Sequence, residues 1–334
     1  MKINWNISGR CNLSCRHCYY DFGIKELKTE ECLEIMDSIS DFFGIGTSVT
    51  LGGGEPLVRE DIYEIISAGK KRGLRMILAS NGTLITQEVA KKLKNSGIEE
   101  VIIPIDGLKD SHEFMRGKRT FDLAINGIEC CKREGIDVVI DPCITRYNRG
   151  DLSAILDLSE KLGARQCRIF HFIPMGRGRR ISEVELKVEE YCENLMRIYE
   201  EQCRRKIEIC TTQGCQYWVI LWRMERKGGF VPGFFYNEAP GCRAGIEMIS
   251  IKPNGDVVPC PMLEIRLGNI LEEGFEEILE SEILSELRNR KVKGRCGECT
   301  HRMICGGCRA RAYLEYGDYL EEDPLCGDFF FERI

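Results

Sequence analysis

The chain has 334 residues, 43% hydrophobic and 30% charged, which is enough for about two domains and ordinary for a protein with a real core. Its formal net charge of −6 offers no general attraction to nucleic acid or anionic lipid, and no apolar run approaches the ~20 residues of a membrane-spanning helix. The opening MKINWNIS alternates like a strand and lacks a signal-peptide layout, so the expected compartment is the cytoplasm, with neither nucleic acid nor membrane as a partner.

From residue 1 to about 172, short apolar runs alternate with longer amphipathic ones. Strands are expected at 3–7, 48–51, 75–80, 101–106, 138–144 and 167–172. Between them lie helical stretches such as 28–43, 61–73, 85–97 and 151–163. Several of these close on Gly, and Thr29 and Asp151 read as caps at helix starts. This alternation implies α/β architecture, a parallel sheet with helices packed outside. Six such units fit a partial β/α barrel, whose reactive groups gather at the carboxyl ends of the strands. Residues 182–206 read as one long charged, amphipathic helix bridging two halves. The Gly/Pro-rich stretch 226–240 reads as a loop with exposed aromatics. From Cys242 onward cysteine spacing replaces periodicity. The expected division is therefore a barrel at 1–181, a bridging helix and loop at 182–240, and a cysteine-rich domain at 241–334.

Nineteen cysteines, an odd number without a signal peptide, point to metal rather than disulfides. Seven of them, Cys32, Cys130, Cys131, Cys143, Cys167, Cys192 and Cys203, sit inside helix- or strand-like stretches and are read as buried small hydrophobes. Cys11, Cys15 and Cys18 form C-x3-C-x2-C in one short loop. A structural zinc or an ordinary four-iron cluster takes four protein ligands, so three thiolates leave one vertex for something that is not protein. A half zinc site completed by distant residues is the alternative. Near the carboxyl terminus the pattern is Cys242-x12-Gly255-x4-Cys260, then Cys296-x2-Cys299-x5-Cys305-x2-Cys308, then Cys326. A zinc ribbon shares the C-x2-C spacing, although seven cysteines do not divide into fours.

The amino-terminal loop, the run Gly53-Gly54-Glu55-Pro56 after the second strand and the carboxy-terminal cysteines together resemble the radical S-adenosylmethionine (radical SAM) superfamily. The last third is similar to its SPASM extension. Residues 241–326 most resemble the branch that edits tetrapyrrole side chains in alternative heme biosynthesis. His17 stands where that family usually has an aromatic, and His112–Gly117 resembles its HDxxRG stretch. The resemblance implies a partial (β/α)6 barrel carrying a 4Fe–4S cluster on Cys11, Cys15 and Cys18, whose open iron chelates S-adenosylmethionine. One electron then breaks the S–C5′ bond, and the 5′-deoxyadenosyl radical abstracts a substrate hydrogen. It further implies that the backbone of Gly53, Gly54, Glu55 and Pro56 binds the methionine amino group. Ser80 and Asn81 would contact ribose or methionine, Asp106 would accept a hydrogen bond in the cavity, and Thr145 would lie at the fifth strand end. Arg177 suits the cosubstrate's carboxylate. Pro104 replaces a hydroxyl residue common in the peptide-modifying branch, and no catalytic residue is assigned.

By the same resemblance there are two auxiliary iron–sulfur clusters, one on Cys296, Cys299, Cys305 and Cys326, the other on Cys242, Cys260 and Cys308. The family has a further cysteine shortly before Cys242, and residues 226–241 contain none. Either that cluster keeps an open iron, or Cys210 or Cys215 swings in. Arg177, Arg179 and Arg180 would suit porphyrin propionates, the last two reading equally as a solvated loop. Modification of a ribosomal peptide or maturation of a metalloenzyme is the rival substrate class. A non-catalytic electron carrier or iron sensor is the rival of another class, against which a ligand pocket counts. An electron donor such as ferredoxin or flavodoxin is the expected protein partner.

Overall fold

A computed structural model describes residues 1–20 and 23–332. The apolar runs form strands β1 (Lys2–Ser8), β2 (Ser48–Gly53), β3 (Arg75–Ala79), β4 (Glu100–Ile103), β5 (Asp137–Ile140), β6 (Cys143–Ile144), β7 (Gln166–His171) and β8 (Glu208–Thr212). Strands β1 to β5 pair in parallel in chain order, and β5 continues to β7 and then β8. Alternation decides which face each side chain takes. Ile3, Trp5 and Ile7 of β1, with Val49 and Leu51 of β2, join one large core against the helices. Ile77, Ala79, Ile102 and Val139, out of phase with that set, form a separate small apolar cluster on the other face of the sheet.

The expected strand at 138–144 is broken in two. Val139 and Ile140 pair with Gln166 and Cys167, and Cys143 and Ile144 pair with Phe170 and His171 on the same edge of β7. Pro142 lies in the gap, where it cannot donate to a ladder. The strands β8, β9 (Met248–Ile251), β10 (Asp256–Val258) and β11 (Gly268–Asn269) were not expected from the sequence pattern. Of these, β9 runs parallel beside β1 and is followed antiparallel by β10 and β11. The barrel sheet and the cysteine-rich region thus share one eleven-stranded sheet.

The helix at Thr29–Phe43 buries Cys32, Ile35, Met36 and Ile39, spaced three and four apart along one face. Its cap is Lys28 rather than Thr29: the Lys28 N–H donates to Glu31 at 2.7 Å, while Thr29 donates to Asp61 at 2.8 Å. Asp151 does stand at the start of the helix Leu152–Lys161, yet its carboxylate accepts from the Leu108 N–H instead of capping. The bridging helix is shorter than expected, Val188–Arg204, because Gly176–Val184 winds as 3-10 turns before it. Residues 217–226 form a helix preceding the expected loop, in which Phe230 and Tyr236 are exposed but Phe234 packs on Trp218. Among the seven cysteines read as buried hydrophobes, Cys192 is only half-buried and Cys203 is exposed, both on the long bridging helix; the other five are buried. No helix among the described residues is long and apolar enough to cross a membrane.

Candidate metal centres and cleft

The loop after β1 carries Cys11, Cys15 and Cys18, and each of Cys11 and Cys15 lies near enough to Cys18 to feel its charge. Backbone bonds set the loop: Glu55 N donates to Arg10 O at 2.8 Å, Gly54 N to Ser8 O at 2.8 Å and Arg16 N to Met115 O at 2.8 Å. The glycines after β2 permit this approach. A Cβ at Gly54 would sit 2.0 Å from Arg10 O and 3.2 Å from the Cys11 Cβ, and Gly53 holds φ +108° against Ser8 O. An open cleft of about 620 Å3 lies beside the loop, lined by Gly9, Arg10, Cys11, Leu13, Ser14 and Arg177. Arg177 is brought there by the turn after β7, where Gly178 N donates to Cys18 O at 3.2 Å. Arg179 and Arg180 are exposed.

The polar strand ends stand near this loop, but their side chains are spent on protein. Glu55 is fully buried and accepts from Ser80 Oγ at 2.9 Å, Asn81 N at 2.7 Å and Leu57 N at 3.1 Å. Burial pushes its carboxyl up to about 7 against those three bonds. Pro56 opens the short 3-10 turn that follows. Asn81 Nδ2 donates to Asn12 Oδ1 at 2.8 Å, tying the end of β3 to the cysteine loop. Asp106, 0% exposed, does not offer a free acceptor. Arg116 holds it through Nε and through Nη2 at 3.3 Å, Cys143 N donates at 2.9 Å, and His17 Nε2 lies 3.5 Å away. Burial would raise its carboxyl, yet Arg116 and His17 outweigh that and hold it at about 2. Burial lowers His17 to about 4 despite Asp106, so the imidazole is neutral at pH 7. Arg116 Nη1 in turn reaches Cys15 Sγ at 4.0 Å. Thr145 is fully buried, with N–H and hydroxyl both on Asn148 Oδ1 at 2.7 and 2.9 Å. Sequence reasoning placed these positions at strand ends and Arg116 in the HDxxRG-like stretch, but not the bracing by Asn12 and Arg116, whose contacts to Asn81 and Cys15 span 69 and 101 residues.

Asp141, next to Pro142, has a buried Oδ1 with no hydrogen-bond partner among the described residues, and burial pushes its carboxyl up to about 6. Arg168 of β7 is the positive charge that acts on it most, and it pairs with Cys210 in the β8 register. No sequence motif flags either residue.

The carboxy-terminal thiols gather in two groups. Cys326 feels Cys296 and Cys299, and Cys305 feels Cys296 and Cys326. Cys260 feels Cys242 and Cys308. Gly306 and Gly307, the short gap between Cys305 and Cys308, both hold positive φ, +66° and +57°, which turns adjacent cysteines toward different groups. Asp323 stands between the groups. Its N–H donates to Cys296 Sγ at 3.4 Å and its Oδ2 accepts from Cys308 N at 2.7 Å, while the buried Arg311 donates twice to it at 2.9 Å. Among the described residues no three His, Cys, Asp or Glu side chains converge closely enough to cage a single ion. A cluster asks for less convergence, because each thiolate binds its own iron. Buried and half-buried thiols in sets of this size, with charge-paired residues behind them, fit that demand.

Residues 5–159 match the model of the radical SAM superfamily, and residues 242–300 match SPASM, an iron–sulfur cluster-binding domain. An AdoMet-dependent heme synthase of Methanosarcina barkeri is 35% identical over 97% of this chain and 95% of its own. The Fe-coproporphyrin III synthase of the same organism is 32% identical over 97% and 87%. Mycofactocin maturase MftC of Mycolicibacterium smegmatis is 30% identical over 97% and 82%. In fold, the chain resembles Streptococcus suis SuiB bound to S-adenosylmethionine (TM-score 0.75, 17% identity, 98% of this chain and 75% of that one). It equally resembles anSMEcpe with bound AdoMet (TM-score 0.74, 20% identity, 97% and 93%). The chain belongs to the radical SAM superfamily, as an iron–sulfur enzyme of S-adenosylmethionine with a carboxy-terminal SPASM domain for auxiliary clusters.

Proposed function

We propose that this enzyme modifies a side chain of a tetrapyrrole in the making of a heme-type cofactor. The observation that carries the reading is end-to-end similarity, at 32–35% identity, to proteins named for heme and Fe-coproporphyrin synthesis. The barrel adds chemical support. The apolar cluster of Ile77, Ile102 and Val139 suits a flat macrocycle, and Arg168 beside Asp141 suits a carboxylate carried on it. A carboxyl poised near 6 can donate a proton to such a group or share one with it.

A cluster held by the amino-terminal cysteines would, when bound, supply the one-electron reduction of S-adenosylmethionine that removal of a substrate hydrogen requires. The chain's own residues make the place for this. Cys11, Cys15 and Cys18 would hold the cluster, and the Gly53–Pro56 backbone would carry the methionine end. Arg177, at the cleft, takes the cosubstrate carboxylate. Glu55, Ser80, Asn81, Asp106 and Thr145 act as braces that fix the loop rather than as direct ligands. Residues 1–181 form the catalytic barrel, 182–240 the bridge, and 241–334 the auxiliary-cluster cap. A ferredoxin or flavodoxin in the cytoplasm supplies the electron.

The test is anaerobic incubation of reconstituted, reduced protein with S-adenosylmethionine and a propionate-bearing iron porphyrin. We expect 5′-deoxyadenosine together with a change in porphyrin mass. Turnover only with a short peptide would move the enzyme to the peptide-maturing branch, the class of its relative MftC. No 5′-deoxyadenosine under any reduced condition would leave an electron carrier.

A further inference from the structure

We propose that Cys215 is the fourth thiolate of the auxiliary cluster on Cys242, Cys260 and Cys308, so that no iron of that cluster is open to substrate or solvent. The proposal rests on the reading of these cysteines as cluster ligands. Cys215 lies well upstream of the matched SPASM segment, in the turn between β8 and the helix Tyr217–Arg226. Its thiol is 6% exposed and makes side-chain contact with both Cys242 and Cys308. It shares one buried cluster with Cys260, Cys308 and Ala244, against which Cys242 packs. Cys210 does not share it: that residue packs in the main barrel core, and its thiol hydrogen-bonds with Arg168.

The turn that carries Cys215 is held in place rather than free to swing. Gln213 takes a left-handed φ of +58°, and its carbonyl accepts from Arg311 Nη2 at 2.8 Å and from Tyr191 Oη at 3.2 Å. Thr211 Oγ1 donates to Gly214 O at 3.0 Å. Next to Cys215, Gln216 Nε2 donates to Asp323 Oδ2 at 2.9 Å, the same oxygen that accepts the Cys308 N–H at 2.7 Å. One buried carboxylate therefore fixes the residue after Cys215 and the backbone of Cys308 to each other. Preorganisation of this kind, supplied from behind the ligands, is what orients a metal site. Four thiolates close a four-iron cluster, which then exchanges electrons without bonding to the substrate.

The test uses the full chain carrying Cys11→Ala, Cys15→Ala and Cys18→Ala, so that only auxiliary clusters remain after anaerobic reconstitution. Iron and sulfide content and the electron paramagnetic resonance spectrum of the reduced protein are read with and without cyanide, a small ligand for exposed iron. We expect the parent spectrum not to respond to cyanide. Adding Cys215→Ala should either remove between one and about four irons or leave a cluster that cyanide perturbs. Adding Cys210→Ala instead should change neither iron nor spectrum. A cyanide-responsive parent would overturn the proposal, and so would a Cys215→Ala protein with the parent's iron content, spectrum and indifference to cyanide. A cyanide-responsive parent overturns the proposal even if Cys215→Ala fails to fold. A parent that binds no iron at all would instead sink the auxiliary-cluster reading beneath it.

Discussion

Asp106→Asn is the sharpest probe of how the cysteine loop is held. The carboxylate is wholly buried, and Arg116, the Cys143 N–H and His17 surround it. Its ionisation, held at about 2 in place of the usual 3.8, corresponds to about 2 kcal/mol in favour of the charged form after burial has been counted. The substitution also leaves the Arg116 guanidinium buried without its counter-charge, a loss of about 3–5 kcal/mol for buried pairs generally. We therefore expect about 3 kcal/mol, borne by the segment that Arg116 ties to Cys15 and that Arg16 ties to Met115. If the loop opens locally, its open population rises ~100-fold. The assay is the rate at which a ferrous chelator abolishes the S-adenosylmethionine-sensitive paramagnetic signal in anaerobic protein. Loss of that signal within threefold of the unmodified rate would refute the brace. A raised KM for S-adenosylmethionine with the cluster equally durable would show that Asp106 touches the cosubstrate instead.

Gly54→Ala places a methyl 2.0 Å from Arg10 O, and is expected to cost the amino-terminal cluster its iron while the auxiliary iron stays, as read by iron counts against the triple Cys→Ala protein. Glu55 titrates near 7 when folded and near 4.5 when unfolded, so its contribution to stability is full below 4.5 and lost as pH rises through 7. Cosubstrate-free protein should lose about 1 kcal/mol between pH 6 and 7.5, and Glu55→Gln should flatten that slope in anaerobic denaturation. A slope that survives Glu55→Gln belongs to another group. Arg311→Met strands Asp323, which is also fully buried, and should destabilise the cap by about 3–5 kcal/mol, with auxiliary iron released at a lower temperature than in the parent. Equal release temperatures would mean that the pair does not support the clusters.

The barrel was legible because β1 to β5 and β7 each pack one alternate set of apolar residues against helices, a local pattern that a sequence displays directly. Strands β9 to β11 were not legible. They are two to four residues long, and Met248–Ile251 acquires its meaning only from pairing with β1 at the far end of the chain. The split of β5 from β6 could have been suspected from Pro142. The cysteine loop announced itself because its three ligands sit within eight residues. Cys215 stood beside Cys210 as one of two candidates to complete that cluster, and spacing could not choose between them, because a turn after a strand carries no ligand signature until the fold brings Cys242 and Cys308 to it. Ser80, Asn81 and Asp106 were legible as polar strand ends, but their protein partners were not. Spacing shows that a polar group ends a strand, whereas only tertiary contacts show that Glu55, Asn12 and Arg116 already occupy it.

Since β9 lies along β1, the strand that leads into the cysteine loop is an interior rung of the sheet rather than its border. Shortening the protein to the barrel would strip a parallel neighbour from Lys2–Trp5 and bare a row of unpaired amides flanked by Ile3 and Trp5, an invitation to intermolecular pairing. The two halves are thus woven together at the very strand on which the first iron depends, and any swap of caps between relatives has to carry that strand with it.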